Sequence, residues 1–375
     1  MKLNEILSDS FNAAEWEAKG YELPKYDIAA VAKKTHDEPT WVLFGAGTNC
    51  RSFPAAILHD ALHPGKYDRG VIVAESFDYE IIDKAYRPYN NLSLLVSLQS
   101  NGTIEKKVIA SITESLKADK QFGEDWARLV QIFQAPTLQM VTFTITEKGY
   151  SFNDADLARG LDAVFAMGKL TALLYERYKA GKLPVTLQST DNCSHNGDHV
   201  KAGVKAYAER WAQDGIVEAG FVDYINDSSK ITYPWSMIDK ITPRPHEKVQ
   251  AMLVEDGFED NNTIITEKHT FTAPFVNAEE VQYLVCEDTY TNGRPPLELG
   301  GALYTSRKTV DEVETMKVTT CLNPLHTAMS IYGCMLDYTL ISAEMADEDL
   351  RAFIQKIGYI EAMPVVTDPG VLNPY

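Results

Sequence analysis

The sequence predicts an α/β fold: an N-terminal, mostly parallel sheet domain followed by a mainly α-helical C-terminal domain. A buried strand, a glycine turn, a helix and a second buried strand occupy residues 41–74, which together make a βαβ unit. Strands then alternate with helices to about residue 213, the pattern of a parallel sheet. Helical patterns predominate after Pro243. We therefore place the first domain at residues 1–250 and the second at 251–375.

Size and composition exclude several classes of protein. At roughly 150 residues per domain, 375 residues suggest two or three domains. The 53 acidic and 35 basic residues give a formal charge of -18, which argues against a nucleic-acid or membrane partner, because either favours a positive surface. The start lacks the apolar core of a signal peptide, and no apolar run is long enough to cross a bilayer. We expect a soluble, cytoplasmic protein.

Individual elements follow from local patterns. The predicted strands share short apolar runs bounded by turn residues; they cover 41–44, 71–74, 92–98, 103–112, 138–144 and 185–188. Asn101-Gly102 between the third and fourth of these is a typical hairpin turn. The predicted helices show helical apolar spacing; they cover 52–62, 154–179, 197–213, 278–286, 322–342 and 346–357. Asn153 or Asp154 is expected to cap the second of them.

The turn after the first buried strand resembles part of a dinucleotide-binding fingerprint. Gly45 and Gly47 stand where a Rossmann-like turn needs a tight bend and close approach of a pyrophosphate. The third glycine is missing, so a plain strand-to-helix turn is the alternative. Arg51, which follows the place of the missing glycine, is a further candidate for the cofactor site. Glu75, or else Asp78, is the acid expected to bind a ribose 2′-hydroxyl. Since an acid there repels a 2′-phosphate, the expected cofactor is NAD.

Two polar groups further along are candidates for chemistry. Asn192 lies just past a predicted strand, where an amide can donate to a developing alkoxide or simply shape a turn. Lys317, Asn323 and His326 form the second group, and the last two share a helix face at three-residue spacing. Pro324 fits a first helical turn. That placement would make Asn323 the helix cap instead.

Metal ligands are not predicted. The five cysteines are widely spaced and include no C-x-x-C pair. His59/His63 and His195/His199 have the i, i+4 spacing that suits zinc, but the sequence places no third ligand near either pair. We interpret them as ordinary histidines on helix faces.

Six segments, spread over residues 40–345, resemble the polyol-specific long-chain dehydrogenases, a family that includes mannitol 2-dehydrogenase and the fructuronate and tagaturonate reductases. They are FGAGTNCR (44–51), TITEKGY (144–150), STDNCSHNGD (189–198), SMIDKITP (236–243), CEDTYTNGRPPLE (286–298) and KVTTCLNPLH (317–326). The fourth segment and STDN-x-x-x-NGD within the third are the most specific. Their order along the chain is far more specific than any one motif.

The resemblance implies an active site, position by position. It implies Lys317 as the general acid/base, Asn192 and Asn323 as donors that polarise the substrate oxygen, and His326 as a group that orients the substrate. The further implied residues are two active-site carboxylates and three cofactor contacts: Glu147, Asp239, Gly45, Gly47 and Glu75. The chemistry is coherent, because an alcohol that loses hydride must also lose its hydroxyl proton. Burial would lower the pKa of a lysine toward that of a working base.

The chain departs from the family pattern in two ways. Six positions separate Lys317 from Asn323 where five are usual, and Pro-Leu-His follows Asn323 in place of Gly-Ser-His. The spacing implies either a one-residue bulge or a divergent branch. Family chains also continue with a helical segment beyond the equivalent of 364–366, whereas nine residues remain here. The second domain is therefore expected to be naturally short or truncated.

The resemblance implies an NAD-dependent oxidoreductase that interconverts a linear sugar acid or polyol with its keto form. D-mannonate and D-fructuronate are the expected pair, because the divergent Asn-Pro-Leu-His segment is more similar to the uronate reductases. Mannitol 2-dehydrogenase and tagaturonate reductase are alternatives, and a catalytically silent nucleotide- or sugar-binding protein is an alternative of another class. A substrate carboxylate would need a cation, for which Lys148, Lys240 and Arg294 are candidates or else surface ion-pair partners.

Overall fold

A six-stranded parallel sheet organises the first part of the chain. The computed structural model describes residues 1–99 and 101–374. They divide into two units, one formed by 1–284 with 289–302, the other by 285–288 with the residues from 303 onward. The boundary predicted at residue 250 falls inside the first unit, which also includes the helix and strands between 251 and 284.

The strands are short, as is usual for globular sheets. They are β1 (Tyr21–Glu22), β2 (Trp41–Phe44), β3 (Val71–Glu75), β4 (Ser93–Leu98), β5 (Ile104–Ile109), β6 (Ile112–Lys117), β7 (Met140–Phe143), β8 (Val185–Ser189), β9 (Ile231–Thr232), β10 (Ser236–Lys240), β11 (Ile264–Ile265), β12 (Phe271–Thr272), β13 (Phe275–Glu279), β14 (Gln282–Glu287) and β15 (Leu303–Thr305).

The helices lie between the strands in the first unit and predominate in the second. They are α1 (Ala13–Ala18), α2 (Ile28–Asp37), α3 (Thr48–Ser52), α4 (Pro54–Leu62), α5 (Gly123–Gln134), α6 (Asp154–Leu157), α7 (Ala166–Lys179), α8 (Asn196–Gln213), α9 (Ala219–Asn226), α10 (Glu247–Glu255), α11 (Arg307–Met316), α12 (Asn323–Met335), α13 (Ile341–Ala346) and α14 (Glu348–Gln355). Within the described residues, none of these helices is both long and apolar enough to span a bilayer.

The main sheet has the strand order β6-β3-β2-β7-β8-β9, and all of its pairs are parallel. Every residue of β2, β3, β7 and β8 is buried, as expected for parallel strands covered on both faces. The sheet packs with α5, α7 and α8 into one core. β3 lies next to β2 on one side and β7 lies next to it on the other, so the strand order reverses at β2. Open α/β sheets bind ligands at such a reversal. The predicted α/β class is confirmed.

A second sheet has the order β1-β5-β4-β13. The predicted hairpin is present as the antiparallel pair β4–β5. The helix predicted at 278–286 was wrong, because those residues belong to β13 and β14. β13 runs parallel to β4 over five residues, and in β14 Val285 and Cys286 are completely buried. Pairing with strands distant in sequence decides the structure of this segment.

The single helix predicted at 154–179 was also wrong, since the structure breaks it into α6, a short turn and α7. Gly160 lies in the break with a φ of +62°, which a helix does not adopt. The buried carboxylate of Asp156 accepts hydrogen bonds from the amides of Val164 and Phe165, at 2.8 and 3.2 Å, and from the hydroxyl of Tyr207. The carboxylate therefore satisfies the amides at the start of α7. Asn153 caps α6 as predicted.

Replacing Asp156 with alanine should destabilise the first unit by about 3 kcal/mol, because two backbone amides and a buried hydroxyl lose their acceptor. The measurement is urea-induced unfolding of the wild type and the variant. Asp154→Ala is the matched control: Asp154 is exposed in the first turn of α6, and its loss should change stability by at most about 0.5 kcal/mol. Equal effects of the two substitutions would contradict this account of the helix break.

Candidate active site

The loop after β2 combines one crowded glycine with one open glycine. Gly45 has a φ of +103°, and a Cβ atom on it would lie 2.2 Å from the carbonyl oxygen of Thr144. Gly47 immediately precedes α3, and a Cβ atom there would meet nothing within 4 Å. Gly45 thus lets the loop pack against the end of β7, while Gly47 leaves space in front of a helix start. This is the arrangement expected for a bound diphosphate.

Glu75 at the end of β3 fixes this loop in place. One carboxylate oxygen accepts the amide of Ala46 at 2.7 Å, and the other accepts the amides of Phe77 and Asp78 at 2.7 and 3.1 Å. Burial raises the pKa of Glu75, and the three amides partly offset the rise. A carboxylate offers about four acceptor positions, so these three amides leave one of them unfilled. Asp78 instead accepts from the hydroxyl of Thr266 at 2.6 Å.

Arg51 lies in the interior, although it was expected at the cofactor site. Its side chain is 0% exposed. The guanidinium donates to the carbonyl of Ala273 at 2.6 Å and to the hydroxyl of Thr272 at 2.8 Å, and it lies over the ring of Tyr86. These contacts bind α3 to β12, and the structure does not bring Arg51 to the open side of the glycine loop.

The ends of β7 and β8 are joined by Asp191. Its carboxylate accepts the amides of Ile145 and Thr146 at 2.9 and 3.0 Å and the hydroxyl of Tyr150 at 2.6 Å. Burial raises the pKa of Asp191 against the effect of these hydrogen bonds. Asn192 follows directly and is exposed. Asp191 therefore sets the position of Asn192 relative to the loop after β7.

A buried amide that the sequence analysis did not single out fixes the other side of β8. The side-chain nitrogen of Asn196 donates to the carbonyls of Asp191 and Ser236 at 3.1 and 3.0 Å, and its oxygen accepts the amide of Ser236 at 3.0 Å. Asn196 thus links the end of β8 to β10. Its presence in the segment STDNCSHNGD was the available signal, but its burial was not evident from that segment.

The other predicted residues of the first unit lie at the surface or partly buried. Glu147 and Lys148 are exposed in the turn after β7. Asp239 lies half-buried on β10, in the strand that Asn196 holds.

Two of the predicted substrate-binding cations have local partners. The ammonium group of Lys240 donates to the carbonyl of Glu279 at 2.6 Å, and burial lowers its pKa. Arg294 forms an ion pair with Glu298 at 2.6 Å and lies 5.5 Å from the ring centroid of Tyr290. These contacts favour structural roles for both.

Lys317 belongs to the second unit and is largely buried, with a relative exposure of 5%. It begins a π-helical turn, Lys317–Cys321, which is wider than an α-helical turn and lies between α11 and α12. The amide of Leu322 donates to the carbonyl of Lys317, five residues earlier, at 3.1 Å. A wide turn of this kind accommodates one extra residue in a helix. It therefore accounts for the six-position spacing as a one-residue bulge.

Asn323 and His326 occupy the first turn of α12 and are both exposed. Leu322 is the residue at the cap position, so Asn323 is the first residue of the helix and not its cap. Pro324 lies in the first turn, as predicted. The side chain of Asn323 is therefore not used to cap the helix and is exposed.

Comparison with known proteins identifies the family. The sequence model of the mannitol dehydrogenase Rossmann domain matches residues 39–299. The chain belongs to the mannitol dehydrogenase family. The resemblance found in the sequence is thereby confirmed. The chain is 46% identical over 388 residues to the D-mannonate oxidoreductase of Thermotoga maritima, covering all of this chain and 71% of that enzyme.

Other members of the mannitol dehydrogenase family are more distant. The mannitol 2-dehydrogenase of Pyrenophora tritici-repentis is 30% identical over 304 residues, covering 76% of this chain and 49% of that enzyme. A crystal structure of D-sorbitol dehydrogenase has a TM-score of 0.81 at 22% identity, covering 100% of this chain and 72% of that one. The ternary complex of Pseudomonas fluorescens mannitol 2-dehydrogenase with NAD and D-mannitol has a TM-score of 0.76 at 23% identity, covering 97% of this chain and 71% of that one. These two structures share the fold.

Within this mannitol dehydrogenase fold, Gly45→Ala should destabilise the first unit by about 3 kcal/mol. The new Cβ atom would overlap the carbonyl oxygen of Thr144, and the backbone would be strained at its positive φ. Gly47→Ala is the matched control and should cost at most about 1 kcal/mol, the effect of a changed helix cap. Chemical denaturation of both variants tests the difference, and a Gly45→Ala variant as stable as wild type would contradict the close approach.

Proposed function

We propose that the chain is an NAD-dependent oxidoreductase that interconverts D-mannonate and D-fructuronate. The observation that carries this proposal is the 46% identity, across the whole chain, to the D-mannonate oxidoreductase of Thermotoga maritima. Identity to the Pyrenophora mannitol 2-dehydrogenase is 30% over a shorter part of the chain. A sugar acid is therefore favoured over mannitol as the substrate.

NAD is the proposed cofactor because the loop after β2 has room for a diphosphate and an acid near the position of a ribose. Gly47 leaves the space in front of α3 open, and Glu75 retains one acceptor position. The solved mannitol 2-dehydrogenase of Pseudomonas fluorescens, similar in fold, is a complex with NAD. When bound, NAD accepts hydride from the substrate carbon in one direction and supplies it in the other.

Lys317 is the proposed general acid/base. In the oxidative direction its neutral amine takes the proton of the substrate hydroxyl as the carbon loses hydride, and the C–O bond becomes a carbonyl. In the reductive direction the ammonium group returns that proton to the oxygen. The burial of Lys317 supports this role, because water would compete with a proton transfer at an exposed amine.

Asn192 and Asn323 are proposed to donate hydrogen bonds to the substrate oxygen as negative charge develops on it, and His326 to orient a neighbouring hydroxyl. The exposure of all three side chains supports these roles, because none is fixed in a core. Well-placed donors of this kind contribute roughly 3–4 kcal/mol each to a transition state. Glu147 and Asp239 are proposed as the accompanying carboxylates.

The carboxylate of a sugar acid needs a cation, and Lys148 is the preferred candidate. Lys240 and Arg294 already contact Glu279 and Glu298. The side chain of Lys148 is exposed and makes no ion pair with any residue the structure describes. It also lies in the turn that Asp191 holds against β8. Lys148 is therefore free to pair with the substrate.

With NADH, the purified chain should reduce D-fructuronate faster than D-tagaturonate or D-fructose, as measured by loss of cofactor absorbance. Lys317→Ala should lower kcat by at least about 100-fold, the usual contribution of a general acid. Lys308→Ala is the matched control, because Lys308 is an exposed lysine on α11 in the same unit. Its activity should equal that of the wild type.

Four outcomes would contradict the proposal or one of its parts. Preference for fructose would favour a mannitol enzyme, and preference for tagaturonate would favour the corresponding reductase. Binding of NADH without turnover of any of the three would favour a silent binding protein. Full activity of Lys317→Ala would exclude this lysine as the acid/base even if the substrate were correct.

Gly47→Val should weaken NAD binding at least tenfold, because the branched side chain would fill the open space in front of α3. Isothermal titration calorimetry measures the affinity. Gly123→Val is the matched control: Gly123 begins α5, and a Cβ atom there also meets nothing within 4 Å. Unchanged affinity in Gly47→Val would show that the loop after β2 does not hold the cofactor.

A further inference from the structure

Three potential metal ligands meet at the C-terminal end of α4. The Nε2 atoms of His59 and His63, one helical turn apart, are 3.1 Å from each other. A carboxylate oxygen of Asp60 completes a group whose ligand atoms all lie within 4.8 Å of one another. Two imidazoles and a carboxylate are a usual protein ligand set for zinc, with water in the fourth position. Asp60 was not predicted as a third ligand, because the i, i+4 spacing indicates the two histidines alone.

The Nδ1 atom of His59, the ring nitrogen that does not face His63, has a hydrogen-bond partner of the kind that orients metal-binding histidines. This atom is 2.8 Å from the hydroxyl of Tyr26 and 3.3 Å from the amide of Ala110. Without metal, that amide donates to Nδ1, so the ring proton is on Nε2 and points to His63. With metal on Nε2, the proton would move to Nδ1 and donate to Tyr26, because a hydroxyl can act as donor or acceptor. The longer contact to Ala110 would be given up.

The site is open to solvent on one side. His59 is buried, whereas Asp60 and His63 are partly exposed, so an ion can enter past them. Lys107 on β5 forms an ion pair with Asp60 at 2.8 Å. This cation would compete with a metal ion for the carboxylate. Affinity therefore depends on how readily Lys107 releases Asp60.

We propose that His59, Asp60 and His63 form a binding site for a divalent transition-metal ion of the zinc type. The ion would stabilise the packing between the end of α4, Tyr26 ahead of α2, and β5. The other histidine pair with the same spacing differs: the ring of His195 stacks on Trp235 at 3.9 Å with an interplanar angle of 12°. That pair belongs to none of the three-ligand groups found among the described residues.

The test is zinc binding by the full chain after chelator treatment. Calorimetry measures the binding, and metal analysis after desalting measures the amount of zinc retained. We expect one zinc ion per chain and a rise in the thermal midpoint that a chelator reverses. His63→Ala should lose both effects, and Tyr26→Phe should weaken binding about tenfold, as loss of an outer partner does. Lys107→Met should strengthen binding, because it releases Asp60. His199→Ala is the matched control and should bind as the wild type does.

Cobalt(II) binding separates this site from the cysteines. An ion held by two histidines and a carboxylate gives no thiolate charge-transfer absorption, whereas a cysteine site does. The proposal is overturned if wild type and His63→Ala retain the same amount of zinc, if His199→Ala loses it, or if the cobalt spectrum shows thiolate ligation. Weaker binding in Lys107→Met would overturn the assignment of Asp60.

Discussion

The buried carboxylates at the carboxyl edge of the parallel sheet are the interaction on which the candidate site depends. Where parallel strands end, the amides of the following loops lose their sheet partners and must find other acceptors. Glu75 accepts three such amides after β2 and β3, and Asp191 accepts two after β7. Each carboxylate ties two adjacent loops together. The sheet edge is therefore a fixed surface and not a set of independent loops.

Much of the first unit could be predicted because its strands are fully buried and bounded by glycine turns. Residues 41–47 were correctly predicted as a strand followed by a turn, because a short apolar run and the two glycines after it indicate both from local sequence. The segment 278–286 was misjudged, because β13 is stabilised by β4, which is far away in sequence. The break before α7 depends on Asp156, whose burial no local pattern indicates. Tertiary contacts decided both cases.

In the candidate site, too, the residues that local sequence patterns indicate were predicted, and those that act through tertiary contacts were not. Asn192 and His326 were predicted from position and family resemblance, and the structure shows both side chains exposed. Asp191 and Asn196, which fix the backbone on either side of Asn192, were missed, because their contribution lies in hydrogen bonds to the backbone. At Lys317 a feature of the sequence corresponds to one of the structure. The six-position spacing from Lys317 to Asn323 coincides with a hydrogen bond from the amide of Leu322 to the carbonyl of Lys317, five residues earlier, where an α-helix would have a four-residue interval.

The contact between Gly45 and Thr144 also constrains the order of folding during synthesis. The hydroxyl of Thr144 donates to the carbonyl of Gly45, 99 residues earlier. The glycine loop thus leaves the ribosome long before the strand that shapes it. Contacts of such long range form late, and domains fold as units while the chain grows. A nascent chain that ends before β7 would carry the two glycines of the loop but not the contact that holds the loop in its folded conformation.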